Sequence, residues 1–274
     1  MASFPDLRAD VGIIGGSGLY SFLAERGDAR EVTVDTPYGA PSDPLVLGDV
    51  ADRTVAFLPR HGRDHRLPPH RINYLANMWA LRSVGVRQVL APCAVGSLRP
   101  GLGPGALVVP DQLVDRTSGR VSTFYDVGAV HVPFADPYCP SGRAAVLAAA
   151  TAADWEPVDG GTMCVIGGPR FSTRAESESY AAAGWSLVNM TGQPEAVLAR
   201  ELALCYTAIA LVTDLDAGVQ AGEGVSQEEV FRVFADNVDR LRDLLVDIVE
   251  RLPEQRTCPC GHALDGIETG VALP

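Results

Sequence analysis

The run Thr207-Ala-Ile-Ala-Leu-Val-Thr-Asp-Leu-Asp-Ala-Gly218 constrains the fold more than any other stretch of the chain. Ala208 to Thr213 are apolar or β-branched without a break, the pattern of a strand buried on both faces, as in a parallel sheet. The run then ends in two carboxylates, Asp214 and Asp216. Two residues apart on a strand, they point to the same side. Ligands of open α/β sheets bind beyond the carboxyl ends of the strands, so an acid pair there is a candidate site. The plainer reading is one helix N-cap and one solvated loop acid, since Asp is a common loop residue.

A chain of 274 residues has room for one large α/β domain or two small ones. With 47 % hydrophobic residues an ordered core is expected. The net charge of −12 argues against a nucleic-acid surface, which needs a basic footprint, although a local basic patch still suits a small anion. No apolar run reaches the ~18–20 residues that span a bilayer. The N-terminal Met1-Ala-Ser-Phe-Pro-Asp6 lacks the basic and apolar regions of a signal peptide. A cytoplasmic protein with its six cysteines mostly reduced is therefore expected.

From the N-terminus, Val11-Gly-Ile-Ile14 runs into Gly15-Gly-Ser-Gly18. This is a strand followed by a loop whose backbone N–H groups and Ser17 hydroxyl suit an anion, or an ordinary tight turn. It is neither a P-loop nor a clean G-x-G-x-x-G. Residues 31–58 read as short strands punctuated by Pro, Gly and Asp. Arg60-His-Gly-Arg-Asp-His-Arg66 follows, a concentration of cations unusual in an acidic chain. Arginine offers a planar fork for phosphate oxygens, and the competing reading is a solvated charged loop. Residues 70–84 form a helix stopped by Gly85, and Val86 to Val95 a strand that turns at Gly96-Ser97. Cys93 in that strand reads as a small buried residue rather than a nucleophile.

Residues 111–139 show little periodicity, and a loop of that length is functional or interfacial. A helix is expected from Ser141 to Ala153, and a strand at Gly160 to Ile166 that ends in Gly168-Pro-Arg-Phe-Ser-Thr173. A helix at Glu176–Gly184 and a strand at Leu187–Met190 come next, then a helix opening near Thr191-Gly-Gln-Pro-Glu195, with Pro near its start. Ser226-Gln-Glu-Glu229 is a capping-box pattern before a long amphipathic helix that carries Val230, Val233 and Phe234 on one side and ends at Pro253. The tail holds Cys258-Pro-Cys260-Gly-His262, three ligands at a spacing foreign to zinc fingers. It reads as mobile, with a redox-sensitive pair. Strands alternating with helices, without a repeat or linker, argue for one α/β domain.

The turns after five strands share one rim. Together they offer anion donors (Ser17, Arg60, His61, Thr191), a flat ring (Phe171) and two acids. That set suits a phosphate, a sugar and a planar base. Gly15-Gly-Ser-Gly-Leu19, Arg60-His-Gly-Arg63, Asn73-Tyr-Leu-Ala-Asn77, Gly96-Ser-Leu98, Gly168-Pro-Arg-Phe-Ser172, Asn189-Met-Thr191 and Thr213-Asp-Leu-Asp216 resemble the motifs of the 5′-methylthioadenosine phosphorylases. These belong to the trimeric class of purine nucleoside phosphorylases. The resemblance runs from about residue 10 to 250, with the motifs in order.

It implies one α/β domain over residues 1–253, built on a central mixed, partly barrel-like sheet flanked by helices, with 254–274 as a tail. The implied reaction is phosphorolysis of 5′-methylthioadenosine to adenine and 5-methylthioribose 1-phosphate. By the same resemblance, Ser17, Arg60, His61, Cys93, Ala94 and Thr191 hold phosphate. Met190 lies under the ribose and Phe171 packs on the base, while Asp214 addresses purine N7 with Asp216 beside it. Val230 and Phe231 line the 5′ pocket, and His131 reaches that of a neighbouring subunit. The expected partners are a purine nucleoside and inorganic phosphate, in a homotrimer or hexamer, with no metal, no cofactor, no nucleic acid and no membrane.

Three places depart from the family pattern. Cys93 stands where a hydroxyl residue usually faces phosphate, and Gln227 where an apolar residue of the 5′ pocket is expected. Gly192-Gln193 replaces the commoner Thr-Val. A 6-oxopurine or methylthioinosine phosphorylase, an adenosine phosphorylase, and a non-catalytic nucleotide-binding protein on the same fold are the alternatives.

Overall fold

The computed structural model describes residues 8–16, 18–19, 22–23, 29–219 and 224–274. Its described strands form one mixed sheet of eleven members, in the main order β2-β3-β4-β1-β5-β10-β9-β7. These are β1 (Val11–Gly15), β2 (Arg30–Val32), β3 (Leu45–Val50), β4 (Arg53–Pro59), β5 (Gln88–Ser97), β6 (Leu107–Val109), β7 (Gln112–Arg116), β8 (Val158–Asp159), β9 (Thr162–Ile166), β10 (Leu187–Asn189) and β11 (Cys205–Leu215). The helices are α1 (Tyr74–Ser83), α2 (Pro140–Ala152), α3 (Arg174–Ala182), α4 (Gly192–Glu201) and α5 (Gln227–Arg251).

Strand β5 is the branch point. Gln88 to Leu90 pair in parallel with β1, while Gly96 and Ser97 pair antiparallel with β10. Along its other edge β5 runs parallel to β11 from Gln88 to Ser97. Strand β11 in turn pairs β6, which pairs β8. The sheet thus splits into two arms around β5 and β11, the two longest strands, which accounts for its partly barrel-like form.

Side chains alternating across the sheet build two cores. On β11, Ala208, Ala210 and Val212 enter one core with residues of α1 and α4, such as Met78 and Leu198. Ile209 and Leu211 enter the other, with α2 and α5 residues such as Val146 and Leu245. Both faces of β11 are therefore apolar, as its unbroken sequence requires. Helix starts are locally coded. Asn73 Oδ1 accepts from Ala76 N at 3.1 Å, Ser226 Oγ from Glu229 N at 3.1 Å, and Thr173 with Glu176 closes a reciprocal capping box.

Two expectations need correction. The stretch 111–139 is not all loop, because Gln112–Arg116 forms β7, paired in parallel with β9. Only β9 pairs with it in the described sheet order, so its residues stay half-buried or exposed and carry no apolar run to announce a strand. The C-terminal tail is packed, not mobile. Cys258 and Cys260 are buried, Pro259–His262 forms a 3-10 turn, and Val271 and Leu273 lie against the first core. Among the described residues no helix is long and apolar enough to cross a membrane.

Candidate active site

A cleft of about 380 Å³ opens at the carboxyl ends of β4, β5, β9 and β11. It gathers Arg60, His61, Cys93, Ala94, Phe171, Met190, Thr191, Asp214, Asp216, Val230 and Phe231 from six separated stretches of sequence. That is every expected site residue but two. Ser17 lies outside the described residues, although its neighbour Gly16 lines the cleft. His131 is exposed and does not line the cleft of its own chain, because the segment that carries it runs elsewhere on the surface.

At one end sits Arg60, 2 % exposed. Its Nε donates to Glu195 Oε1 at 2.6 Å, and one terminal nitrogen donates to Glu195 Oε2 at 3.1 Å and to the Ile14 carbonyl at 2.9 Å. The other donates to the Pro92 carbonyl at 3.0 Å. Four of five guanidinium N–H bonds thus have protein partners. Glu195 is fully buried and also accepts from Tyr206 Oη at 2.8 Å. Burial alone would lower the Arg60 pKa, but the carboxylate of Glu195 more than reverses this and raises it. Arg60 therefore brings one free N–H and a largely neutralised charge to the cleft.

His61 differs from its expected role as an anion donor. Its Nδ1 lies 2.8 Å from the Leu67 carbonyl, which accepts and so fixes the proton there. Burial, aided by Arg60, pushes its pKa down to about 3, against the pull of that carbonyl. The neutral ring leaves Nε2 as an acceptor. His65 stacks on His61 with centroids 4.2 Å apart and stands nearly perpendicular to Phe231, with centroids 5.8 Å apart. Asn189 braces the neighbouring turn. Its Oδ1 accepts from Thr191 N and Gly192 N, and its Nδ2 donates to the Ala94 carbonyl. Burial pushes the Cys93 thiol up to about 12, so it faces the cleft as a neutral, weak donor.

At the other end, β11 departs from regular pairing. Val212 faces Val95, but Asp214 rather than Thr213 faces Gly96. This bulge re-aims the strand end so that Thr213, Asp214 and Asp216 all reach the cleft. The regular alternation expected for the two acids is thus replaced by a bulge that delivers the same convergence. Gly96 makes the room, since a Cβ there would lie 2.9 Å from Asp214 Oδ1 and 3.3 Å from Asp216 Cβ.

Thr213 Oγ1 donates to Asp214 Oδ2 at 2.8 Å. Burial, assisted by Asp216, pushes Asp214 up to about 6 in spite of that bond. Asp216 is also raised by burial, with the Ser172 and Ser177 hydroxyls pulling the other way. Those two hydroxyls and Asp216 Oδ2 are buried beside one another without a hydrogen bond of good geometry. Gln227 lines the same cleft beside Val230, and Phe231, 42 % exposed, stands at its mouth.

Glu195, Tyr206 and Gly96 were not singled out from the sequence as site residues. Glu195 offered a signal. It opens the apolar run Ala196-Val-Leu-Ala199, and an acid on the buried face of a helix implies a buried cation opposite.

An acid pair at one end of a cleft and an anion pocket at the other, on a branched mixed sheet, define a nucleoside phosphorylase site. The chain matches the phosphorylase superfamily over residues 10–250. It is 65 % identical to a purine nucleoside phosphorylase of Streptomyces coelicolor, over 98 % of this chain and 99 % of that protein. It is 58 % identical to an S-methyl-5′-thioadenosine phosphorylase of Mycobacterium tuberculosis, over 96 % of each. The crystal structure of a methylthioadenosine phosphorylase from an antarctic soil metagenomic library superposes with a TM-score of 0.88 at 42 % identity, covering 95 % of this chain and 92 % of that one. The protein belongs to the phosphorylase superfamily and is a pentosyltransferase of the nucleoside phosphorylase kind.

Proposed function

We propose that the enzyme phosphorolyses 5′-methylthioadenosine to adenine and 5-methylthioribose 1-phosphate. The observation that carries this reading is the buried acid pair, with Asp214 held near pH 6 across from Gly96. Cleaving the glycosidic bond expels the purine as an anion unless N7 is protonated. A general acid placed there contributes ~10²–10⁴-fold. Asp214 supplies that proton. Burial, with Asp216 beside it, keeps it raised, and Asp216 Oδ2 accepts from the exocyclic amine of adenine. A 6-oxopurine presents an acceptor at that position and would face a carboxylate without a donor, a mismatch costing ~1–3 kcal/mol.

Phosphate sits at the other end, held by Ser17, the remaining N–H of Arg60, Thr191 and the backbone near Ala94, with Cys93 as a weak donor. His61 Nε2 accepts the phosphate O–H and so turns the remaining oxygens toward the ribose. One of these attacks the anomeric carbon as the purine leaves, and the anion stabilises the oxocarbenium-like centre. Met190 lies beneath the sugar and Phe171 against the base. His131, exposed on its own chain, is free to complete the 5′ pocket of a neighbouring subunit in a homotrimer or hexamer.

Gln227 favours a second substrate, since an amide at the 5′ end of the cleft offers a partner to a 5′-hydroxyl and so admits adenosine. The name of the Streptomyces relative raises a third, the 6-oxopurine nucleosides, against which the acid pair speaks.

The test is adenine release from methylthioadenosine with and without phosphate, beside adenosine and methylthioinosine. Strictly phosphate-dependent release, fastest with methylthioadenosine, is expected. Faster turnover of methylthioinosine would overturn the acid-pair argument. Equal use of adenosine would assign the 5′ pocket to Gln227.

A further inference from the structure

Away from the cleft, four cysteines far apart in sequence meet. Cys139 caps α2, Cys205 begins β11, and Cys258 and Cys260 flank Pro259 in the tail. All four are buried, and they form a cluster of their own, separate from the apolar cores. Their sulfurs lie within 4.8 Å of one another, with Cys205 and Cys258 at 3.3 Å. All four thiols are free.

These separations suit an ion better than a bond. A disulfide requires sulfurs ~2.05 Å apart. Four thiolates at ~2.3 Å from a central zinc form a tetrahedron with edges of about 3.8 Å. The interval from 3.3 to 4.8 Å brackets that edge. The ligands are all sulfur, the set that selects zinc among the common divalent ions. His262, the third candidate in the tail sequence, takes no part. It is exposed and pairs with Asp265 at 2.8 Å. The fold replaces it with Cys139 and Cys205.

The surroundings fit an anionic cluster. Cys139 stands at the N-terminus of α2, where its Sγ accepts from Gly142 N at 3.4 Å and the helix dipole favours negative charge. The guanidiniums of Arg82, Arg87 and Arg256 bond the backbone carbonyls of Leu202, Val86 and Ala203. Arg256 precedes Cys258 by two residues, and the Arg87 carbonyl accepts from Cys205 N.

We propose that Cys139, Cys205, Cys258 and Cys260 bind a structural zinc ion that clasps the C-terminal tail to the start of β11. On binding, four Zn–S bonds form and four thiol protons pass to solvent, with no electron transferred. The Arg256 guanidinium, which lies against Gly261 beside Cys260, offsets part of the resulting dianion. The ion sits at the opposite end of β11 from Asp214, so its role is to hold the strand and the tail rather than to take part in phosphorolysis.

The experiment is elemental analysis of the full-length protein, purified without chelator from zinc-supplemented medium, together with its intact mass. About one zinc per chain is expected. Cobalt substitution should give the thiolate-to-metal charge-transfer bands of a tetrathiolate site. Cys258→Ser and Cys260→Ser should each lower the zinc content at least severalfold and lower Tm. Metal-free protein whose six cysteines all titrate as thiols would overturn the proposal. So would metal-free protein lighter by two hydrogens per bridge, which would mean disulfides, or iron in place of zinc. These readouts do not depend on which nucleoside is cleaved.

Discussion

The two ends of the cleft are built on opposite principles. At the proposed phosphate end the strong groups have partners: Arg60 with Glu195, Glu195 with Tyr206, His61 with Leu67, Asn189 with Thr191 and Gly192. At the proposed base end Asp216 Oδ2 and the Ser172 and Ser177 hydroxyls are buried together without a bond of good geometry, and Asp214 is held with its proton affinity raised. A braced end costs little to keep in place and offers little new bonding. A loosely bonded end keeps buried polar groups whose bonding a ligand of matching pattern would complete. On the proposed reading, position is fixed at one end and choice of substrate is made at the other.

The sharpest way to break this contrast is at the base end. Asp214→Asn should lower kcat/KM on methylthioadenosine by ~10²–10⁴-fold and improve the relative use of 6-oxopurines, in steady-state assays. In the parent enzyme the acid is protonated below about pH 6 and ionised above it. The alkaline limb of kcat/KM should therefore fall about tenfold per pH unit above that value, and the Asn variant should lack this limb. The same raised value means that Asp214 contributes stability below the ordinary carboxyl range, and that this is lost as pH rises through about 6.

At the braced end the loss should appear in folding. Glu195→Gln leaves the Arg60 charge buried without its counter-ion and should cost ~3–5 kcal/mol in denaturant unfolding. A loss of activity with unchanged stability would show that the pair is not a brace. Gly96→Ala tests the room between the ends. Its Cβ would press on Asp214 Oδ1, and kcat/KM should drop about 10–100-fold with the fold intact. The smallest change is expected at Gln227→Leu, a shift of about tenfold toward methylthio over 5′-hydroxyl substrates, read as a ratio of kcat/KM values.

Much of this was legible in the residues. The unbroken run to Thr213 announced β11, and the motif order announced the gathering of Arg60, Phe171, Met190, Thr191 and the acid pair. What escaped depends on pairing across long distances. The bulge at Thr213 is a relation between β11 and β5, invisible in either alone. Arg60 reads as a phosphate fork until Glu195, 135 residues away, is seen to occupy it. Strand β7 carries no apolar run because it is half-exposed. The four-cysteine cluster joins positions of which only Cys258 and Cys260 are neighbours in sequence.

The Arg60–Glu195 pair also bears on how phosphate arrives. The chain carries a net charge of −12, and the arginine of the cleft is already paired with a carboxylate. An incoming dianion therefore meets no long-range attraction and a repulsive mean field. Where charged ligands are usually steered inward and slowed by salt, here added salt should screen the repulsion and quicken phosphate association, a trend stopped-flow binding at rising ionic strength would follow directly. Capture then rests on short-range fit at the end of an uphill approach.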